Sequence, residues 1–502
     1  MKNIHECTPI IVGTGEITHR NKDPEAGLEP LDLMARAMCA AENDAGAPLL
    51  PRLDSLDVVC EYSWPYTDAP TQLATRMGNM PARRVYGESG GESPVRFIHE
   101  AALRIARGES QVAAIVGAEA LYTADAAAKR GIQLPWTPRD DNVKLLRGTD
   151  LCQQVAVRLG AAQPTSIYPF YENAALAHWG QTPRQALEES AKLWSRFSEV
   201  AAANPYAWLR SSLSAAEVGT PGANNRLIAW PYTKYMVANP LVNMGAAVLL
   251  TSVGLARALG ISEERWVYVW GGAAAREPRD YLLRDQFYRS HAQDQVLESV
   301  LSQVGGDADA FEMLELYSCF PVVPKMACRT LGLPPDAQLT STGGLSFFGA
   351  PLNNYMTHAA SGLVRALRKT PNKTALMYGQ GEFVTKHHAL VLGSGPSPHG
   401  LPQPDYCVQA AADARRGDVP DLLSTYRGNA ALETFTVIYD RQGGVKHGIA
   451  IARTPGGERL MARVRAEDAT SLGALTDLDQ SPVDRQGTVC VDEEGFLKWS
   501  VM

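Results

Sequence analysis

The sequence predicts a mixed α/β fold of two related halves with an inserted region, followed by a small all-β domain. Three observations carry that expectation. Short apolar strands alternate with amphipathic helices over residues 10–117 and again over 247–392. The intervening 119–230 lose that rhythm and are richer in Tyr, Trp, Asn and Pro. After a Gly/Pro/Ser linker at 393–404, short strands follow one another with glycine turns between them. Strand–helix alternation implies a buried sheet covered by helices, whereas strands joined by tight turns imply a meander or barrel.

Taken in order, Ile10-Ile11-Val12-Gly13-Thr14-Gly15 reads as a first buried strand, 31–45 as a helix and 56–62 as a strand. A strand at 82–86 turns into a helix at 94–106, and Val112-Ala113-Ala114-Ile115-Val116-Gly117 is the next strand. The region at about 119–236, which contains one long helix at 183–202, reads as an insertion that shapes a binding cleft. The rhythm resumes with strands at 247–252 and 266–270, a helix at 292–304, a strand at 310–316 and a helix at 322–331. It ends with a helix at 353–369 and strands at 375–378 and 389–392. The similar order on both sides of the insertion suggests two related halves, 1–258 and 259–396. A β domain then spans 405–502, with turns at 440–444, 455–457 and 492–495 that fit a small barrel.

Composition narrows the function. The chain has 502 residues, 45% hydrophobic and 20% charged, with a net charge of −7 and no long basic run. That argues against a dedicated nucleic-acid binder or a membrane-surface anchor. The longest apolar stretch, 245–255, is too short to span a bilayer, and the first residues show no signal core. Eight scattered cysteines without a CxxC pair point to reduced thiols in a cytoplasm. The ten histidines form no metal-ligand spacing, and the neighbours His387 and His388 point to opposite faces if they lie on a strand. No metal is expected. Gly13-Thr14-Gly15 lacks the third glycine of a dinucleotide fingerprint, so no NAD is expected either.

The most informative segment is Tyr86-Gly87-Glu88-Ser89-Gly90-Gly91. A sharp strand–turn–helix corner exposes a side chain where free N–H groups and the helix dipole favour a developing oxyanion. Ser89 there is either an acyl-accepting nucleophile or a helix cap. His358, His387 and His388 are the candidate bases for it. The string also matches the G-x-S-x-G elbow of α/β-hydrolases, although no acid-then-histidine pair stands out downstream. Glu88 and Glu92 read either as functional carboxylates or as negative charges favourable near a helix N-terminus.

Several blocks, in order over roughly 8–396, resemble the thiolase superfamily and most closely its sterol-carrier-protein-type branch. Pro9-Ile10-Ile11-Val12-Gly13-Thr14-Gly15 is similar to the opening strand. Ala203-Asn204-Pro205-Tyr206-Ala207-Trp208 is similar to the insertion of that branch, and 243–250 to the segment that begins Ser-Asp-Gly in thiolases. Glu315-Leu316-Tyr317-Ser318-Cys319-Phe320 resembles Glu-Leu-His-Asp-Cys-Phe. Gly343-Gly344, followed by Gly349-Ala350-Pro351-Leu352, resembles Gly-Gly-x-x-x-x-Gly-His-Pro-Leu. The C-terminal extension is similar to the additional domain of thiolase-like proteins type 1.

The resemblance implies a layered α-β-α-β-α body with an OB-like barrel appended, and a cleft for CoA or an acyl-CoA thioester. In thiolases the corner residue is a nucleophilic cysteine, activated by the histidine of Gly-His-Pro. A second cysteine moves the α-carbon proton, and the histidine of His-Asp-Cys-Phe stabilises the oxyanion. Here those positions carry Ser89, Ala350, Cys319 and Tyr317. A serine without a base is a poor nucleophile, so ordinary turnover is not expected, while Tyr317 retains a hydrogen-bond donor. Cys319 is either a surviving acid/base or a small buried hydrophobe. The substrate-side candidates are Gly349, Ala350, Pro351, His358, Gly379 and Gly381; Gly379-Gln380-Gly381 reads either as the loop where other thiolase branches carry an acid/base cysteine or as a tight turn. The nominal activity is acyl-CoA C-acyltransferase. The alternatives are a noncatalytic partner in an acyl-CoA pathway, as a homodimer or with another protein, and a Ser89-dependent acyltransferase or hydrolase. The barrel, which has no basic–aromatic cluster, reads as a packing or partner module.

Overall fold

The computed structural model describes residues 4–502. Nine strands form the body: β1 (Pro9–Thr18), β2 (Ser55–Val58), β3 (Arg83–Tyr86), β4 (Val112–Ala120), β5 (Asn243–Ser252), β6 (Val267–Arg276), β7 (Phe311–Leu316), β8 (Thr374–Gly381) and β9 (Lys386–Gly393). Their order is β3-β2-β4-β5-β1-β6-β9-β8-β7. The halves meet at a short antiparallel junction, Ile10 opposite Tyr268 and Ile11 opposite Val267. Outward from β1, the pairings with β5, then β4, then β2 run antiparallel, antiparallel, parallel. Outward from β6, through β9, β8 and β7, the same sequence repeats. This repeat is the topological form of the two related halves, with β3 added to the first as a further parallel strand.

The helices Ser93–Ala106 and Tyr355–Leu367 each touch strands of both halves and form the middle layer. The helix Pro30–Ala45 covers the outer face of the first half, and His291–Ser302 that of the second. The body is therefore five layers, α-β-α-β-α. Ser93–Ala106 buries Val95, Phe97, Ile98, His99, Ala101 and Ala102 around most of its circumference, as a helix between two sheets must. Gly13 and Gly15 have a packing role. A Cβ on either would stand 2.2 or 2.1 Å from the carbonyl oxygens of Ala41 and Ala37, so they let the outer helix seat directly on β1.

The C-terminal strands β10 (Gly428–Tyr439), β11 (Val445–Arg453), β12 (Arg459–Val464), β13 (Gln486–Val491) and β14 (Leu497–Val501) close a five-stranded barrel. The circuit runs β10-β11-β12-β14-β13 and back to β10, with β12 and β14 parallel. The helix Ala469–Leu475 lies between β12 and β13. This is an OB-like Greek-key barrel. Strand alternation divides its side chains between two cores. Ala450, Ala452, Leu460, Ala462 and Val464 fill the barrel. Ile449, Ile451 and Met461, on the other face, join the core of the layered body. The β11–β12 face, with which OB barrels take up oligonucleotides, is thus spent on packing.

Polar contacts seal that joint. Arg459 is fully buried and donates to Glu433 and to the carbonyls of Leu282 (2.7 Å) and Arg284 (2.5 Å). The inserted region adds a short strand, Leu227–Ala229, to β10, and Asn173 of the helix Pro164–His178 donates to the Phe435 carbonyl. Among the described residues, no helix is long and apolar enough to cross a membrane.

Candidate functional site

A cavity of about 880 Å³ opens at the ends of the strands, beside the Ser89 corner. This is within the range of small-molecule sites. Its wall comes from distant parts of the chain: Ser89, Gly90 and Gly91 of the corner; 146–149, Leu151 and the N-terminal turn of Pro164–His178 from the insertion; Tyr317, Cys319 and Phe320 after β7; Ala350, Leu352 and Asn353; and 380–383 at the end of β8. Apart from Arg147 and Glu382 the lining is uncharged, and no histidine takes part.

Ser89 sits four residues before the first helical residue, Ser93, and makes no cap hydrogen bond to that helix. The helix-cap reading therefore fails: the chain makes an extra turn at Gly90–Glu92, and Pro94 fixes where the helix begins. The Ser89 hydroxyl is 2.6 Å from the Tyr62 hydroxyl, which is also 2.8 Å from the Leu146 carbonyl. The carbonyl can only accept, so the Tyr62 proton goes to it and Ser89 donates to the Tyr62 oxygen. Burial pushes the Tyr62 phenol up to about 12, so it is no base at neutral pH. The N–H of Gly90, next to Ser89, is taken by Asn353 Oδ1 at 3.0 Å, while Asn353 Nδ2 donates to the Cys60 carbonyl. Lys386 donates to the Ser89 carbonyl at 2.8 Å and pairs with Glu382, which also binds Arg279. The corner is clamped by these bonds, and among the described residues no general base contacts its hydroxyl.

None of the three histidines considered for that role reaches Ser89. His358 is fully buried, with Nδ1 2.8 Å from Glu16. His387 contacts Tyr378 and Ser290, and His388 contacts His99. Of the six substrate-side residues expected from sequence, Ala350 and Gly381 line the cavity, whereas Gly349, Pro351, His358 and Gly379 do not. Gly379 is turned toward Val95 and Glu92, and Gly349 toward Met244 and Val242. His358 lies one helical turn behind, where the Glu16 carboxylate holds it.

Cys319 and Tyr317 both line the cavity. Burial pushes the Cys319 thiol up to about 12, so it carries no thiolate at neutral pH, and Gln380 Nε2 donates to its sulfur at 3.4 Å. Burial likewise raises the Tyr317 phenol, which has no hydrogen-bond partner among the described residues. Gly91 makes room for it: a Cβ there would stand 2.4 Å from Tyr317 Oη. Glu92 is buried, with Oε2 unpartnered. Burial raises its carboxyl, which works against the favourable negative charge expected near the helix N-terminus, while Lys386 and Arg96 lower it.

Tyr62, Asn353, Tyr168 and Lys386 were not marked by the sequence, and Gln380 was marked only as part of the Gly379-Gln380-Gly381 string. The available signal was position: Tyr62 follows the end of β2, and Gln380 lies within the glycine pair at the end of β8.

The Tyr62 loop stands on two buried carboxyls. Glu119 accepts from the N–H groups of Tyr62 and Ser63, both at 2.8 Å, and Glu61 accepts from Tyr86. Burial pushes Glu119 up to about 8 and Glu61 to about 7, from an ordinary 4.5. The native state thus holds protons that the unfolded chain has released, and stability falls as pH rises from about 4.5 toward 8. The buried His387 and His99, pushed down to about 4 and 3, act oppositely, but only below pH 6.5. Above 6.5 the carboxyls dominate. In urea titrations between pH 6.5 and 8, Glu119→Gln should remove up to about 1.4 kcal/mol per pH unit of the wild-type decline. Identical slopes in the two proteins would contradict this assignment.

The five layers and a cavity at the strand ends define a thiolase-fold protein. A family model described as the thiolase-like protein type 1 additional C-terminal domain matches residues 408–494. A monomeric SCP2-thiolase-like protein type 1 from Mycobacterium smegmatis is 30% identical, with a TM-score of 0.83 over 99% of both chains. The chain belongs to that family, the SCP2-thiolase-like proteins type 1. More distant structures share the fold of the body. An Ltp2–ChsH2(DUF35) aldolase is 18% identical with a TM-score of 0.57, over 78% of this chain and 98% of that one. Human mitochondrial 3-ketoacyl-CoA thiolase in complex with CoA is 14% identical with a TM-score of 0.56, over 78% and 99%. No match was found among curated proteins.

Proposed function

We infer that this protein binds acyl-CoA thioesters in the 880 Å³ cavity without forming a covalent acyl-enzyme. The observation that carries the reading is the pairing of an unpartnered Tyr317 hydroxyl on the cavity wall with a Ser89 hydroxyl that has no base. A donor held in an apolar wall suits a thioester carbonyl, and the lack of a thiolate or an imidazole disfavours acyl transfer. The bound CoA of the human mitochondrial thiolase with the same fold supports the choice of ligand class. On this reading the positions of the thiolase nucleophile and of its two histidines are held by Ser89, Ala350 and Tyr317. The protein then acts as a carrier or accessory in an acyl-CoA pathway rather than as an acyl-CoA C-acyltransferase. Arg147, exposed at the mouth and without an ion pair among the described residues, suits the anionic end of the ligand.

Tyr317→Phe tests the reading. It should weaken acetyl-CoA binding about five- to tenfold while leaving free CoA, which has no carbonyl there, unchanged. Equal affinities of both ligands for wild type and variant would overturn the role of Tyr317. Ser89→Ala should leave both affinities within about twofold. Intact mass spectrometry after incubation with acetyl-CoA should show no acyl adduct on the wild type. An adduct that Ser89→Ala abolishes would favour the serine acyltransferase reading instead.

A further inference from the structure

The hairpin between β8 and β9 is held in a shape that its own residues do not favour. Glu382 and Phe383, in its loop, line the cavity. Glu382 and Val384 have φ of 59° and 56°, in the left-handed region where a non-glycine residue is strained and a β-branched one most of all. Such a conformation persists only where the surroundings over-determine it. Two supports do so. Buried Arg284 donates to the carbonyls of Phe383, at 2.8 Å, and Val384. Tyr168 and Tyr171, on the helix Pro164–His178, donate to the carbonyls of Glu382 and Phe383, both at 2.9 Å.

Both supports are tied to one barrel strand. Glu433 of β10 pairs with Arg453 and Arg459. Arg459 donates to the carbonyls of Leu282 and Arg284, and Arg453 to that of Asp285 at 2.9 Å. The next residue, Thr434, donates to the Phe170 carbonyl at 2.5 Å, and the Phe435 carbonyl accepts from Asn173 at 2.9 Å. Phe170 and Asn173 bracket Tyr171 on its helix. Three consecutive barrel residues thus fix the arginine turn and the tyrosine helix together. The hairpin in turn reaches the corner, because Glu382 pairs with Lys386 and Lys386 donates to the Ser89 carbonyl at 2.8 Å.

We propose that the C-terminal barrel is a positioning domain for the cavity. Strand β10 holds Arg284, Tyr168 and Tyr171, and these hold the 382–385 loop in its strained form. Resting on the acyl-CoA reading above, the affinity that the barrel sets is that for an acyl-CoA thioester. Without the docked barrel the loop relaxes, Glu382 and Phe383 leave the wall, and Lys386 loosens its hold on the Ser89 corner.

Amide hydrogen exchange of the full chain, followed by calorimetric titration with acetyl-CoA, tests this. Arg459→Met and Thr434→Val should each speed exchange over 380–388 about fivefold or more relative to the amides of β1. Both should bind acetyl-CoA about three- to tenfold more weakly than the wild type. Val464→Ala, in the barrel interior, should leave hairpin exchange and affinity within about twofold. If Arg459→Met fails to fold, Thr434→Val carries the comparison. Unchanged hairpin exchange in the joint variants, or faster exchange with wild-type affinity, would overturn the proposal and leave the acyl-CoA reading intact. If the wild type itself binds no acetyl-CoA, that reading fails, and exchange alone decides whether the barrel positions the hairpin.

Discussion

Lys325→Met should cost about 3–5 kcal/mol of stability. Lys325 lies on the helix Val322–Leu331, with its side chain 1% exposed. It forms an ion pair with Glu172, equally buried, and donates to Ser190 Oγ at 2.9 Å. Tyr232 donates to the other Glu172 oxygen at 2.8 Å. Glu172 belongs to the helix Pro164–His178 and Ser190 to Pro183–Ala203, so one ammonium ties two helices of the inserted region to the second half of the body. Two charges withdrawn from water gain little net energy as a pair, but removing one leaves the other without compensation. Methionine keeps the apolar stem and leaves Glu172 with Tyr232 alone. Urea denaturation should show the loss at neutral pH. Much of it should return in Lys325→Met/Glu172→Gln, where no charge is stranded. A loss under about 1 kcal/mol would mean that the pair is hydrated and the helices are held by packing alone.

Arg459→Met should have an effect of similar size, directed at the joint between barrel and body. The guanidinium is fully buried and bonds both Glu433 of the barrel and two carbonyls of the 282–284 turn. Without it, both carbonyls and one carboxylate lose a charge-assisted partner at once, which should cost about 3–5 kcal/mol. Arg453, on the same Glu433 but 29% exposed, provides the internal comparison and should cost about 1 kcal/mol when changed to methionine. The loss at Arg459 should appear as undocking, with proteolytic cleavage in the 394–427 segment accelerating before the body unfolds. Cleavage as slow as in the wild type would show that Ile449, Ile451 and Met461 hold the barrel without the arginine.

The strand–helix alternation, the interrupting insertion and the final β texture were legible because each rests on a local period that burial enforces. The corner at Ser89 was legible for the same reason, as a strand and an apolar helix flank it. The chemistry around it was not. Tyr62 reaches Ser89 across 27 positions and Asn353 reaches Gly90 across 263. Tyr62 lies in the loop after β2 and Asn353 in the single turn Leu352–Asn354 ahead of the helix, where no period marks them. The proposed helix cap failed because capping preference is a local prior, and here Pro94 and a buried Glu92 set the helix start instead. Among the histidines, His387 and His388 do alternate across β9, but both faces of that strand are buried, so neither reaches the cavity.

On the proposed function, the cavity takes a CoA thioester without chemistry. Calorimetric titration of the purified chain with CoA, acetyl-CoA and a longer acyl-CoA tests it most directly. Saturable binding at micromolar concentrations is expected, tighter for the thioesters than for free CoA, with the ligands recovered unchanged. Absence of binding by all three, or recovery of free CoA with an acylated protein, would contradict it.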